Sequence, residues 1–237
     1  AGGGNAAFEV SMIPEDYKRL SPEVIAKIKP LTDDPETSDT GQLAARRYLA
    51  DMGISLKTAI DARIGCLVHR CFGGKDSKDS KDGKDKKNAA GMMYQCIAYV
   101  NYINGQPVNV KYRSCDATAS GYTKCWSQDS PTTPCPPYNI DCINPLLIAE
   151  ENIPRLIVTE GERDVLTLRE AGYPYVISVP NGAASDLSKG FEAFRPWLDR
   201  VQELVICGDS DLPGRTLVKH LADYFGTRCL FTVLPGG

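Results

Sequence analysis

The order of elements predicts two unlike modules: an α+β segment of short helices and an antiparallel meander, then an α/β segment built on a parallel-rich sheet. Three observations carry this. Strand-like runs at Ile64 to Phe72, Met92 to Tyr102 and Pro107 to Arg113 follow one another, with Asn104-Gly105, a hairpin signal, between the last two. From Leu156 onward, strand-like runs instead alternate with helical patterns, as parallel sheets require. Two of those later runs, Leu156 to Thr159 and Leu204 to Cys207, stop abruptly at acidic residues. They read as buried parallel strands, and open α/β sheets bind ligands at the carboxyl ends of such strands. The chain therefore divides into a linker with a short helix over 1–40, a first module over 41–150 and a second over 151–237.

Taking the elements in order, Ala1-Gly2-Gly3-Gly4-Asn5 reads as a processed end or the remnant of a linker. Ser21-Pro22-Glu23 combines an N-cap with a proline at the first helical position, predicting a helix through Ile28 that Pro30 stops. After a polar loop over 31–40, a second helix spans about Gly41 to Met52, stopped by Gly53, and Ser55 caps a third to Ala62. The meander follows, its first hairpin interrupted by Lys75 to Lys87. That run carries six Lys and four Asp and no apolar side chain, which predicts a solvated, disordered loop. Cys66, His69 and Cys71 form a metal-like cluster, but strand alternation points Cys66 and His69 oppositely, which argues against zinc.

The Pro-rich stretch from Pro131 to Pro145 reads as a connection between the modules that also packs against the sheet. Strands are then predicted at Leu156 to Thr159, Tyr175 to Val179, Glu203 to Cys207 and Cys229 to Val233. Helices are predicted near Glu162 to Ala171, Phe191 to Leu198 and Pro213 to Phe225.

Composition limits the partners. The chain has 237 residues, 42% hydrophobic content and a net charge of -3, so nucleic acid would be held by a local basic patch and not by a global field. Nine scattered cysteines and a start without a signal-like apolar run fit a reducing cytoplasm. No run is long and apolar enough to predict a membrane span.

If the two acid-terminated strands are neighbours, Glu160, Asp209 and Asp211 converge. Asp209 and Asp211 are two apart in an extended segment and so lie side by side. Three such anions repel unless a hard cation sits among them, and carboxylate oxygens with water suit Mg²⁺, or Mn²⁺ in its place. Each half also has a plainer reading, since acids after strands commonly cap the next helix.

Glu160-Gly161 with Asp164-Val165-Leu166, then Asp209-x-Asp211-x-x-Gly214-Arg215, resembles the Toprim domain of bacterial-type primases, topoisomerases and some nucleases. Arg47 to Ser55 resembles the entry to the catalytic core of phage-type primase-helicases. The meander, with Lys111 and Arg113 on one strand face and Lys124 beyond, resembles the N-terminal half of the primase RNA-polymerase core. The resemblance implies a phage-type DNA primase core that makes short RNA primers on a single-stranded DNA template from ribonucleoside triphosphates, with a replicative helicase domain in cis or in trans. It implies Glu160, Asp209 and Asp211 as catalytic metal ligands, with Gly161 and Asp164 supporting them. Lys111, Arg113 and Lys124 would hold phosphates across the cleft, Asn181-Gly182 would form the loop beside the site, and Arg215 is a further contact, although an exposed helix arginine needs no such role. The alternatives are a single-stranded-DNA-binding module of a replicative helicase without catalysis, and a Toprim nuclease. No four-cysteine zinc module and no phosphate loop lies within these residues, so template-sequence recognition and ATP-driven translocation are expected elsewhere.

Overall fold

The computed structural model describes residues 17–37, 39–73, 92–118, 121–123, 125–132, 135–180 and 187–232. The interrupting loop over 75–87, Lys124 and Asn181-Gly182 lie outside these.

Helix α1 (Pro22–Ile25) starts where predicted, with the Ser21 hydroxyl accepting from the Val24 amide, but ends earlier. Its continuation is pulled into an extended pair, β1 (Lys29–Pro30), against the first meander strand. Helix α2 (Thr40–Asp51) is capped by Asp39, which accepts from the Gln42 amide, and Gly53 at φ 70° turns the chain out of it. Helix α3 (Leu56–Asp61) is capped by Ser55.

The meander is β2 (Gly65–Gly73), β3 (Met92–Ile103) and β4 (Gln106–Ser114), all antiparallel. Asn104 and Gly105 turn between the last two at φ 50° and 73°. Asp141 holds that turn from the connecting segment, its carboxylate accepting from both amides at 2.5 and 3.1 Å. A small pair, β5 (Ala117–Thr118) and β6 (Gly121–Tyr122), precedes β7 (Cys125–Asp129), which pairs with both β4 and the end of β2 and so curls the sheet back on itself. Cys71 and Cys96 meet inside it at 3.4 Å between sulfurs, while His69 stacks on Tyr112. These side chains are part of the sheet's packing.

The Pro-rich connection is anchored by Asn101, a buried residue at the irregularity in the β3–β4 register. Its amide nitrogen donates to the Pro137 carbonyl at 2.9 Å and its oxygen accepts from the Asn139 amide at 3.0 Å. Helix α4 (Asn144–Ile148) leads into the second sheet.

That sheet is parallel throughout, in the order β11 (Cys229–Phe231), β10 (Val201–Cys207), β8 (Ile153–Thr159), β9 (Val176–Ser178). Leu156 to Thr159 are all buried, as both faces of the sheet are covered. Helix α5 (Glu162–Glu170) follows β8, and α8 (Leu212–Phe225) follows β10, burying Leu217, Leu221 and Phe225 at helical spacing. The single helix expected over Phe191 to Leu198 is two, α6 (Leu187–Glu192) and α7 (Arg195–Leu198). Pro196 lacks an amide hydrogen and its ring collides with the preceding turn, so it can begin a helix but not continue one.

One apolar cluster, including Leu67, Ala98 and Val110, lies outside the second module, and two cross between the modules: Ile103 and Val108 pack with Ile153 and Phe194, and Tyr48, Ile97 and Tyr99 pack with Ile157, Val165 and Leu166. A polar contact reinforces this seam. Glu170, at the end of α5, accepts from the backbone amide and hydroxyl of Ser55 at 2.9 and 2.8 Å, so one module caps a helix of the other. Hydrogen bonds from Thr58 and Ser55 hold the Glu170 carboxyl below its ordinary value.

A carboxyl lowered in the folded state stabilises above its unfolded pKa, and that contribution is lost as the pH falls through the folded value. Glu170→Ala should therefore lower the melting temperature at neutral pH, and wild type and variant should converge below the ordinary glutamate range in thermal melts across pH.

Candidate active site at the carboxyl ends of the parallel strands

Strands β8 and β10 are direct neighbours, with Thr159 paired to Cys207. Their ends therefore bring Glu160 beside Asp209, as the spacing of the two motifs requires. The Asp209 amide donates to Glu160 Oε1 at 3.0 Å, tying the two turns together. Gly214 makes this approach possible. A β-carbon there would lie 2.2 Å from the Asp209 carbonyl oxygen and 2.5 Å from Glu160 Oε1, so only hydrogen fits between α8 and the acidic turn. Asp211 caps α8, its Oδ1 accepting from the Gly214 amide at 2.9 Å. The residue expected as a metal ligand is thus also the N-cap of α8.

Burial, then the like charges of Asp209, Asp211 and Asp164, push the Glu160 carboxyl above its ordinary range, against the lowering effect of the Asp209 amide. Asp164 is raised as well, chiefly by burial, while its Oδ2 accepts from the Gly161 amide at 3.0 Å at the start of α5. It supports the turn that carries Glu160. Among the described residues, no three His, Cys, Asp or Glu side chains stand close enough together to hold an ion as they are oriented. Two carboxylate oxygens are turned onto backbone amides, Glu160 Oε1 and Asp211 Oδ1. By donor chemistry the set fits a hard cation: it offers only carboxylate oxygens, and burial together with their like charges raises Glu160.

Across from these acids, the meander presents one face. In an antiparallel ladder, directly opposed residues share a face, and Lys111 opposes Tyr99 and Gln128 while Arg113 opposes Trp126. These five side chains, with Glu160, Gly161 and Glu162, line a cleft of about 320 Å³ between the modules. Lys111 spans it, donating to Glu162 Oε1 at 2.5 Å and to the Pro180 carbonyl at 2.6 Å. Both partners are largely shielded, at 19% and 14% side-chain exposure, so this ion pair escapes most of the screening that weakens surface pairs. Arg215 stands apart from the cleft lining, its guanidinium donating to the Ser210 carbonyl at 2.6 Å and so bracing the loop that bears Asp209 and Asp211.

Glu162, Tyr99, Gln128 and Trp126 are cleft residues that no sequence motif marks. Tyr99 and the β7 residues could be found only from strand pairing, because their distance along the chain carries no trace of it. Glu162 reads as an ordinary first-turn acid, and its partner lies 51 residues away. A second cavity, of about 210 Å³, opens on the other face of β3 among Arg63, Tyr102, Asp141 and Arg169, and none of the residues singled out from the sequence reaches it.

Residues 155–234 match the Toprim domain family. The chain is 31% identical over 153 residues to the primase homolog protein of Arabidopsis thaliana, covering 59% of this chain and 41% of that protein. It is 29% identical over 147 residues to the Twinkle homolog protein, chloroplastic/mitochondrial, of the same plant, covering 56% of this chain and 19% of the relative. The matches thus span less than half the length of either curated relative. In fold the chain is similar to the primase fragment of the bacteriophage T7 primase-helicase protein, at TM-score 0.54 and 22% identity over 79% of this chain and 64% of that one. It is also similar to the DnaG primase catalytic domain bound to ssDNA, at TM-score 0.55 and 18% identity over 84% and 66% of the two chains.

Gly214→Ala should force the acidic turn and α8 apart. The expected cost is about 1–3 kcal/mol of stability, as for other small-to-large changes in packed interiors, read by denaturant unfolding.

Proposed function

We propose that this chain, with its Toprim domain and the fold of a primase core, is the catalytic core of a DNA primase that makes short RNA primers on single-stranded DNA. The observation that carries the reading is the cleft in which Lys111 and Arg113 of the meander face Glu160 of the Toprim domain. An isolated Toprim nuclease does not need a basic sheet face opposite its acids. A polymerase does, because the triphosphate and template backbone need cations beside the carboxylates.

Glu160, Asp209 and Asp211 would hold Mg²⁺, which when bound supplies charge neutralisation and alignment for phosphoryl transfer. In the reaction, the ribose 3′-hydroxyl oxygen bonds to the α-phosphorus of the incoming ribonucleotide while the bond to pyrophosphate breaks. Glu160, tied to the Asp209 turn, would complete the cluster as a ligand or as the base that receives the hydroxyl proton. Lys111 would exchange Glu162 for a phosphate oxygen when nucleotide enters, and Arg113 would add a second contact. Lys124 and the Asn181-Gly182 loop complete the same proposal from outside the described residues. The 41–150 and 151–237 modules act as two halves of one site. Both Arabidopsis relatives are longer, and a replicative helicase domain, in cis or in trans, is the expected partner.

Primer synthesis on mixed single-stranded templates, with labelled ribonucleotides and Mg²⁺ or Mn²⁺, tests the reading. Wild type should extend, supplied with a zinc module if it requires one. Asp209→Ala/Asp211→Ala should abolish synthesis and remove a site from Mn²⁺ calorimetric titrations. Lys111→Ala should raise the nucleotide requirement about tenfold or more, as loss of a charge-assisted contact does, while leaving Mn²⁺ binding intact. A wild type that binds single strands but never extends would leave the binding-module alternative in its place.

A further inference from the structure

We infer that Trp126 is a stacking platform for a nucleobase in the cleft, so that the meander face holds its ligand by aromatic contact as well as by charge. The inference rests on the primase-core reading for the identity of the ligand, and on independent geometry for the role. Trp126 leaves 48% of its surface exposed, and a large aromatic side chain gives up much of its favourable burial when it stands in water. Its neighbours explain the position. Trp126 directly opposes Arg113 in the β4–β7 ladder, and Gln128, two residues on, opposes Lys111. One sheet face therefore alternates an aromatic ring and an amide on one strand with two cations on the next, and all four line the cleft that ends at Glu160.

Charge beside an exposed ring is the combination that binds single-stranded nucleic acid: cations track phosphates while every base has a face to stack. A duplex hides those faces inside its own stack and offers Trp126 nothing. The other tryptophan, Trp197, packs against Phe194 and belongs to the Toprim core, so it is not a competing platform.

The test uses intrinsic fluorescence in a Trp197→Phe background, where Trp126 is the sole indole. Oligodeoxythymidylate should quench it, and a blunt duplex at equal nucleotide concentration should not. Ribonucleoside triphosphates added alone form a second arm, since quenching by them instead assigns the stacked base to the incoming nucleotide. Either pattern supports the inference, and no quenching in either arm overturns it. Trp126→Ala should weaken binding of the ligand that quenches by about tenfold, while Trp126→Phe retains most of the affinity. Stacking releases no counterions, so the salt dependence of binding should keep its slope in Trp126→Ala, whereas Lys111→Ala should flatten it by about one. An Ala variant that is folded by circular dichroism and binds as wild type overturns the role. Because these readouts need no synthesis, a quenching protein that makes no primer would remove the catalytic reading and leave the platform standing.

Discussion

The site depends on the apolar contact that welds the two modules. Tyr48, Ile97 and Tyr99 on one side and Ile157, Val165 and Leu166 on the other form one cluster, so the meander and the parallel sheet cannot shift independently. Burial of side chains of this size is worth about 1.5–3 kcal/mol each, far more than the surface polar contacts at the seam. Tyr99 shows why this matters for chemistry. Its ring belongs to the shared cluster, and it also lines the cleft directly across from Lys111. Packing and site geometry thus meet in one residue.

Polar contacts then set the details that packing cannot. Asn101 uses both ends of its amide to pin the connecting segment, and Asp141 holds the β3–β4 turn, so the Pro-rich stretch is a brace and not a slack tether. The seam is closed from the other side by Glu170 on Ser55. Lys111 reaches across the cleft to Glu162 and to the Pro180 carbonyl. The charge balance of the cleft follows. Glu162 neutralises Lys111, while burial and the like charges of Asp209, Asp211 and Asp164 raise the Glu160 carboxyl.

Much of the architecture was legible in local signals. The Ser21, Ser55 and Gly53 caps, the Asn104-Gly105 turn and the alternation after Leu156 all concern residues a few positions apart, where propensity and hydrogen bonding decide. The acidic ends of both strands were legible too, while their adjacency was conditional in the sequence and is supplied by the pairing of β8 with β10. Where local reading failed, a non-local contact or a steric limit had intervened: α1 is cut short by pairing of Lys29–Pro30 with β2, and Pro196 splits the helix after Phe191.

The residue types alone determined that hard oxygen donors end two strands, that Lys111 and Arg113 share a strand face, and that Gly214 sits where α8 begins. Tertiary structure alone decided what those groups meet. Lys111 is paired with Glu162 and not with Glu160, Arg215 braces the Ser210 carbonyl, and Trp126 stands on the face of Arg113 because β7 folds back onto β4. The physical reason is range. Caps, turns and periodicity are fixed by neighbours within a turn or two, whereas a cleft is made by side chains that come together only after distant strands pair and a shared core forms.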